Sequence, residues 1–150
     1  MEKVIIRDMC EHDLDSVCLL EAICDPVPWS VNALRYELEN KESVLKVALF
    51  NNKIIGYACI RTLLDVTHVM KVAVLPEHRG NGVGGILLSD SLNTLHTQQP
   101  DVKDVTLEVR ESNSAALRLY DNFGFIKTGI RKNYYKNPEE NGIIMQLELA

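Results

Sequence analysis

A glycine-rich loop between a strand and a helix constrains the fold of this chain most. Apolar residues from Val72 to Leu75 lead into a polar loop, and residues 82–96 then carry apolar side chains at three- and four-residue spacings, which is typical of a helix. The pattern of Asp104–Arg110 favours the next strand. A strand, a crossover helix and another strand, in that order, predict two parallel strands in one mixed α/β sheet.

The start of this helix has the chemistry of an anion site. The first N–H groups of a helix have no partner within it and carry partial positive charge. Glycines at positions 80, 82, 84 and 85 keep side chains away from those groups. The loop is therefore predicted to hold a pyrophosphate with its backbone.

Two cofactor motifs overlap in this loop. The G-x-G-x-x-G run from Gly80 to Gly85 matches a dinucleotide fingerprint, and the R-x-x-G-x-G run from Arg79 to Gly84 resembles an acetyl-CoA loop. A dinucleotide fingerprint places its first glycine directly after the first strand and an acidic residue at the end of the next strand. Here Pro76–Arg79 intervene and Asp104 begins the next strand. The acetyl-CoA motif is favoured, and a nicotinamide-dependent oxidoreductase remains a rival.

The remaining pattern predicts further strands and helices around this unit. Asn51-Asn52-Lys53 is the predicted turn of a hairpin, because Asn tolerates the left-handed conformation. Gly124 suits the left-handed C-cap of a short helix. The predicted elements are a strand at 4–7, helices at 13–23 and after Ser30, hairpin strands at 44–50 and 54–64, a strand at 68–75, a helix at 113–123 and closing strands at 125–129 and 143–149, joined by a polar, Tyr-rich loop.

Length and composition limit the class of protein. The 150 residues suffice for one domain with one core, and 46% hydrophobic and 25% charged residues are ordinary for a globular protein. A formal charge of -5 disfavours direct nucleic-acid binding. No apolar run reaches the roughly 18 residues of a membrane helix, and the four cysteines lack metal-ligand spacing. We expect a cytoplasmic chain with no membrane or metal partner and with reduced, mostly buried thiols.

Several motifs, taken together, resemble those of one family over nearly the whole chain. The sequence is similar to the GNAT superfamily and, within it, to the RimI family of protein N-terminal alanine acetyltransferases. The segments that carry the resemblance are Pro28-Trp29-Ser30, Val72–Gly85, Leu107–Ala116, Leu119-Tyr120, Gly124-Phe125, Arg131–Tyr135 and Ile143–Leu147.

The resemblance implies a fold, a reaction and a partner. The implied fold is α/β (α+β), a single domain over residues 1–150 with a mixed, mostly antiparallel seven-strand sheet and about four helices. An acetyl-CoA cleft lies between two splayed parallel strands in that fold. The implied reaction moves acetyl from acetyl-CoA to the α-amino group of an Ala-starting ribosomal small-subunit protein. We also expect a monomer or weak homodimer that works without a metal.

The resemblance also assigns roles to residues of this sequence. Glu108 matches the general base and Tyr120 the general acid. The residues that match the acetyl-CoA site are Val72, Ala73, Val74, Arg79, Gly80, Asn81, Gly82, Val83, Gly84, Gly85 and Asn113. Those expected on the acceptor side are Trp29, Tyr134, Tyr135 and Glu21, with the two tyrosines in the loop that closes over the peptide.

Charge adds an expectation about the acceptor. Residues 1–45 hold four Lys or Arg against ten Asp or Glu, whereas residues 110–136 hold six against two. An acidic N-terminal lid, for which Glu21, Asp25 and Glu37 are the local candidates, would attract a cationic amine terminus or a basic peptide. His12, His68, His78 and His96 lie in no motif of an activated nucleophile and are expected to be surface or structural residues.

Two alternative functions keep the same loop. One is a GNAT enzyme that acetylates lysine side chains or a small-molecule amine, and the other is a non-catalytic acyl-CoA-binding sensor. The segments of Trp29 and of the Tyr134-Tyr135 pair match the peptide-acetylating family that the chain resembles, which favours a peptide acceptor over a lysine side chain or a small amine. The presence of both Glu108 and Tyr120 favours an enzyme over a sensor.

Overall fold

The computed structural model describes residues 3–149 of the chain. Within this range the chain forms seven strands in one mixed, mostly antiparallel sheet and four α-helices, as predicted. The strands are β1 Ile5–Asp8, β2 Ser43–Phe50, β3 Lys53–Leu63, β4 Val66–Val74, β5 Asp104–Arg110, β6 Ile126–Tyr135 and β7 Glu140–Glu148, and the helices are α1 Leu14–Cys24, α2 Val31–Glu39, α3 Val83–Gln98 and α4 Ser114–Phe123. The predicted domain of 1–150 includes residues 1, 2 and 150, which lie outside the described range.

The strand order contains one parallel pair. The order is β1-β2-β3-β4-β5-β7-β6, and β4 pairs with β5 in parallel while β7 pairs antiparallel with both β5 and β6. The crossover through α3 is therefore confirmed. The parallel ladder joins Val66–His68 to Asp104–Thr106. Val72–Val74 on β4 and Glu108 on β5 lie beyond those three residue pairs.

The described chain divides into two compact units. One unit comprises residues 3–61 and 70–100, and its core contains the fully buried Val17, Leu34 and Tyr57. The other comprises residues 62–69 and 101–149. In that unit β5 alternates, so that Val105, Leu107 and Val109 are buried while Thr106, Glu108 and Arg110 share the opposite face. The alternation is what presents the Glu108 carboxylate away from the hydrophobic core.

Local sequence signals explain where several elements begin and end. Asn51 and Asn52 have φ of 53° and 63°, which gives the tight hairpin turn that the two Asn residues predict. The hydroxyl of Ser30 accepts a hydrogen bond from the backbone N–H of Ala33 at 3.1 Å and caps α2. Gly124 ends α4 with φ of 99°, as expected for a left-handed C-cap.

Two expectations about local structure are wrong. β6 continues to Tyr135, although a strand ending at residue 129 and a Tyr-rich loop were predicted. Pairing with β7, down to Tyr135 opposite Glu140, extends the strand. The pairing continues through a register shift and through Asn133, which has a left-handed backbone conformation. The thiols are also not mostly buried, since only Cys59 is buried and Cys10 is exposed.

Candidate active site

The glycine loop is built for backbone exposure. α3 begins directly after Gly82, which has φ of 81°, and Gly80 has φ of 82°. A Cβ atom at either position would meet nothing within 4 Å, so the glycines are required by backbone conformation and not by crowding. The loop therefore leaves open space next to the first N–H groups of a 16-residue helix. This arrangement suits a bound anion.

The arginine of the loop has a structural contact. Arg79 Nε donates a hydrogen bond to the backbone carbonyl oxygen of Val74 at 2.8 Å, which ties the loop to the end of β4. The thiol of Cys24 lies 3.5 Å from the same oxygen. Burial raises the pKa of the Cys24 thiol, so this group is a poor nucleophile at neutral pH. Any contact of Arg79 with an anion would use the other nitrogen atoms of its guanidinium.

Close packing fixes the strand before the loop. A Cβ atom on Gly56 of β3 would lie 2.8 Å from the backbone oxygen of Ala73, a distance that real Cβ contacts do not reach. Only glycine lets the two backbones approach in this way. The N–H of Leu75 also donates to the oxygen of Ile55 at 2.8 Å. Val72–Val74, which are among the residues expected to bind acetyl-CoA, are thus held by backbone contacts with β3.

In the other unit, two side chains hold the carboxylate of Glu108. Its Oε1 accepts a hydrogen bond from the hydroxyl of Tyr134 at 3.1 Å, and its Oε2 lies 3.4 Å from Nε2 of His68. The Glu108 side chain is 10% exposed. The carboxylate is thus largely shielded from solvent.

Sequence reasoning did not associate His68 with Glu108. The parallel ladder pairs His68 with Thr106, and alternation along β5 then puts Glu108 on the same face as Thr106. Nδ1 of His68 lies 2.9 Å from the hydroxyl oxygen of Thr106. The register of β4 against β5 was the missing information, because a period-2 pattern alone does not fix which residues are opposite.

The two tyrosines lie in β6 and not in a loop. Their rings contact edge to face with centroids 5.0 Å apart, and the guanidinium of Arg110 lies 4.7 Å from the ring centroid of Tyr135. Gly142 makes room for the pair, since a Cβ atom there would lie 3.1 Å from the Tyr134 ring. Burial raises the pKa of both phenols, and Tyr134 is raised further by the Glu108 carboxylate. Both hydroxyls therefore remain protonated donors at neutral pH.

Tyr120 is placed by α4. Its side chain is 7% exposed and packs against Phe125, with ring centroids 5.6 Å apart. Burial raises the pKa of Tyr120 to about 12. Asn113 caps the same helix, because its side-chain oxygen accepts from the N–H of Ala116 at 3.1 Å. The Asn113 side chain therefore caps α4, and any contact that it makes with acetyl-CoA would be a second role.

Glu21, expected on the acceptor side, is buried and paired within the protein. The residue is 0% exposed, and its carboxylate accepts hydrogen bonds from the Tyr57 hydroxyl at 2.7 Å and from the Trp29 backbone N–H at 2.9 Å. Lys71 Nζ lies 2.8 Å from the same carboxylate and also contacts Asp25. A buried charge is stable only when paired in this way. Glu21 therefore anchors the segment between α1 and α2.

Lys71 joins this network to the aromatic ring of that segment. Its ammonium lies 5.3 Å from the ring centroid of Trp29, which is half-buried against the core. Burial alone would lower the pKa of Lys71, but hydrogen bonds from Lys71 to Asp25 and Glu21 outweigh it and raise the pKa. Glu37 is likewise buried and paired, with Arg61 Nη1 at 2.7 Å. Only Asp25 of the three predicted acceptor-side acids is partly exposed.

Within residues 3–149, no group of three His, Cys, Asp or Glu side chains is arranged to hold a metal ion. No helix in this part of the chain is long and apolar enough to cross a membrane.

The family comparison defines the class as an acyltransferase that uses a coenzyme A thioester, and the open glycine loop between β4 and α3 suits such a ligand. The chain belongs to the acetyltransferase (GNAT) family, whose model matches residues 14–125. It is an acetyl-CoA-dependent N-acetyltransferase, and the resemblance seen in the sequence is confirmed.

Known proteins match nearly the full length of the chain. It is 38% identical over 144 residues to the ribosomal protein bS18-alanine N-acetyltransferase of Haemophilus influenzae, covering 94% of this chain and 96% of that protein. The crystal structure of the ribosomal-protein-S18-alanine N-acetyltransferase from Escherichia coli has a TM-score of 0.88 at 29% identity, covering 99% of this chain and 95% of that one. Arabidopsis thaliana NAA60 in complex with acetyl-CoA shares the fold, with a TM-score of 0.88 at 14% identity and coverage of 98% and 100%.

Proposed function

We propose that this chain acetylates the α-amino group of an N-terminal alanine, and that ribosomal protein bS18 is the protein that carries it. The observation that carries the proposal is the shielded Glu108 carboxylate, held by Tyr134 and next to His68. Relatives with the name of this activity match over nearly the whole chain at 38% and 32% identity. We treat the chain as one acetyltransferase domain, because the family match includes residues of both compact units.

Acetyl-CoA fits the glycine loop. The backbone around Gly80 and Gly82 is open, and the start of α3 offers N–H donors to a pyrophosphate. The residues proposed to hold the cosubstrate are Val72, Ala73, Val74, Arg79, Gly80, Asn81, Gly82, Val83, Gly84, Gly85 and Asn113. When bound, acetyl-CoA supplies the acetyl group as an activated thioester.

Glu108 is proposed to take a proton from the acceptor amine, directly or through a water molecule. An α-amino group has a pKa near 7.7–8.0 and a lysine side chain near 10.4, a difference equivalent to about 3 kcal/mol in the cost of neutralising the amine. A carboxylate of modest basicity is therefore better matched to an N-terminus than to a lysine. The β5 backbone and the two side chains next to Glu108 fix where that proton is accepted.

Tyr120 is proposed to interact with the departing sulfur. A free thiol has a pKa near 8.5, and the Tyr120 phenol, with its pKa raised to about 12 by burial, gives up a proton less readily than an ordinary tyrosine. Such a phenol can donate a hydrogen bond to the developing negative charge at a lower free-energy cost than it can transfer its proton. Tyr120 matches the family's general acid, and at this pKa we propose that it donates a hydrogen bond to the leaving thiolate. The thiolate takes its proton from solvent, and the nitrogen loses its second proton to solvent as the amide forms.

The acceptor peptide is proposed to contact Trp29, Tyr134 and Tyr135. Each of these tyrosines offers an apolar ring and a protonated hydroxyl, a combination that suits both the side chains and the backbone of a peptide. We further propose a cytoplasmic enzyme that acts as a monomer or weak homodimer, without a metal and without direct contact with nucleic acid.

Mass spectrometry of two matched peptides tests the acceptor. One peptide starts with Ala and has the first residues of bS18, and the other has the same sequence with a formylated N-terminus and an internal lysine. We expect acetylation of the first at its α-amino group and none of the second. Acetylation of lysine alone, or cofactor binding without any transfer, would refute the proposal and favour a lysine acetyltransferase or an acyl-CoA sensor.

A further inference from the structure

One residue beside the proposed base has no role in the mechanism above. His68 lies on β4, and its Nε2 is 3.4 Å from Oε2 of Glu108. The imidazole is 35% exposed, so it is partly fixed by packing. The distance is long for a hydrogen bond, but contacts of this kind often shorten only when substrate binds.

Thr106 fixes how the imidazole faces Glu108. Its hydroxyl oxygen lies 2.9 Å from Nδ1 of His68, and a hydroxyl either donates or accepts. It accepts from Nδ1–H when the ring is protonated and donates to Nδ1 when the ring is neutral with its proton on Nε2. In both of these forms Nε2 carries the proton that a hydrogen bond to the Glu108 carboxylate needs. The charged ring and this neutral tautomer can therefore both make the contact, whereas the tautomer with its proton on Nδ1 cannot.

The second partner of Glu108 has another task. Tyr134 holds Oε1 at 3.1 Å but is 44% exposed, and it is one of the residues proposed to meet the peptide. A hydroxyl that engages a peptide is less able to hold the carboxylate at the same time. The orientation of the Glu108 carboxylate then depends on the donor at its other oxygen, Oε2. That donor is His68, which lies opposite Thr106 in the β4–β5 ladder.

We propose that His68 is a positioning residue for Glu108, an inference that rests on the proposed role of Glu108 as the base. Its Nε2–H holds Oε2, so that the carboxylate keeps one orientation when the acceptor binds. A Glu side chain loses the freedom of several rotatable bonds when it is fixed, and the donor offsets part of that cost before the reaction. A base displaced by about 1 Å loses on the order of a hundredfold in rate.

Two amide substitutions separate this role from a structural one. The amide nitrogen of glutamine reaches the place of Nε2, whereas that of asparagine reaches the place of Nδ1. His68→Gln therefore keeps a donor for Glu108, and His68→Asn keeps only the contact with Thr106. We expect kcat to fall about tenfold to a hundredfold in His68→Asn and His68→Ala. In His68→Gln kcat should stay within about threefold of the wild type, and KM for the peptide should be little changed in all three.

The ratio of kcat in His68→Gln to kcat in His68→Asn distinguishes a positioning role of His68 from a structural one. A ratio of about ten or more supports the proposal, and a ratio near one, or an effect on KM alone, overturns it. His96→Gln, on the exposed side of α3, is the matched control. If the His68 variants fold poorly, as seen by thermal melting, Thr106→Val replaces them. This variant should lower kcat with unchanged KM, Thr106→Ser should restore kcat, and equal kcat in both would overturn the proposal.

The wild-type enzyme separates this inference from the proposed function. Failure of the wild type to acetylate the Ala-starting peptide would refute the acceptor assignment. The His68 series is then measured with whichever amine the wild type does acetylate, and the Gln-to-Asn ratio retains its meaning.

Discussion

At the scale of single residues, the environment of Glu108 links the fold to the reaction. Alternation along β5 turns the carboxylate away from the core, and Tyr134 and His68 lie at its two oxygens. An ammonium group must lose one proton before it can attack, and the nitrogen loses a second proton as the amide forms. The first of these demands on Glu108 is greatest below the amine's own pKa and falls above it.

Replacement of Glu108 by glutamine tests this dependence. Glu108→Gln keeps the shape of the side chain but removes the proton acceptor, so kcat at pH 7 should fall by about a hundredfold or more. The loss should be smaller at pH 9, because an α-amine with a pKa near 8 is then mostly neutral without help. Steady-state kinetics at both pH values measure it, with the exposed Glu111→Gln as the control. An equal loss at both pH values would exclude Glu108 as the group that deprotonates the ammonium before it attacks.

Tyr120 allows a second test at this scale. Tyr120→Phe removes only the hydroxyl and keeps the ring that packs against Phe125. We expect kcat to fall about tenfold to a hundredfold, because one electrostatic donor to the departing sulfur is lost. KM for acetyl-CoA and the melting temperature should change little. Exposed Tyr36→Phe serves as the control, and wild-type kcat in Tyr120→Phe would remove the hydroxyl from the mechanism.

At the scale of elements, the segment between α1 and α2 depends on one lysine. Lys71 on β4 contacts Glu21 and Asp25 and lies over the ring of Trp29. The Glu21 carboxylate also accepts the backbone N–H of Trp29. The position of this proposed peptide-binding ring is thus set by charges buried beneath it.

Removal of that lysine should destabilise the protein. Lys71→Met leaves the fully buried Glu21 without its cation, a change that costs about 3 kcal/mol. Urea unfolding at pH 7 measures the free energy of unfolding, and exposed Lys53→Met should leave it unchanged. Adding Glu21→Gln should recover part of the loss, since a neutral amide needs no cation, its oxygen can accept from the Trp29 N–H and its NH2 group can donate to the Tyr57 hydroxyl. A double variant less stable than Lys71→Met would contradict the assigned pairing.

The sequence predicted elements whose signals are local, and missed contacts that depend on pairing. The Ser30 cap, the Asn51-Asn52 turn and the Gly124 cap are formed by neighbouring residues, and all three are as predicted. The lysine that pairs with Glu21 is 50 positions away in sequence, and His68 is 40 positions from Glu108. No local pattern encodes the strand register that brings such residues together. The roles of Glu108 and Tyr120 came from the family resemblance and stay predictions.

At the scale of the whole molecule, part of the acidic excess of the N-terminal region stabilises the fold and does not face an acceptor. The acidic excess of residues 1–45 was expected to attract an amine. Three of its carboxylates are instead buried and paired, Asp13 with Arg7, Glu21 with Lys71 and Glu37 with Arg61. These charges stabilise the fold and are shielded from an acceptor. The stability of the protein should therefore depend on keeping buried carboxylates ionised.

Asp13 gives the sign and range of that dependence. Hydrogen bonds from Arg7 outweigh the opposing effect of burial and lower the pKa of Asp13 to about 2, from 3.8. A lowered pKa in the folded state stabilises the protein above the unfolded value, so the contribution is complete above about pH 5 and is lost as the pH falls toward 2. The difference corresponds to about 2 kcal/mol at low salt, because the residue is only 5% exposed.

Asp13→Asn should therefore be about 2 kcal/mol less stable than the wild type at pH 7, and the gap should narrow to below about 1 kcal/mol at pH 2.5. Urea unfolding followed by the fluorescence of the single tryptophan measures both values. Asp15→Asn, on the exposed side of α1, should show no gap at either pH. A gap for Asp13→Asn that is equal at pH 7 and pH 2.5 would mean that lost packing, and not the lost charge, causes the change. Arg7 stabilises the fold through Asp13 only while Asp13 is ionised. The urea concentration at which the wild type unfolds should therefore fall from pH 7 to pH 2.5 by more than that of Asp13→Asn.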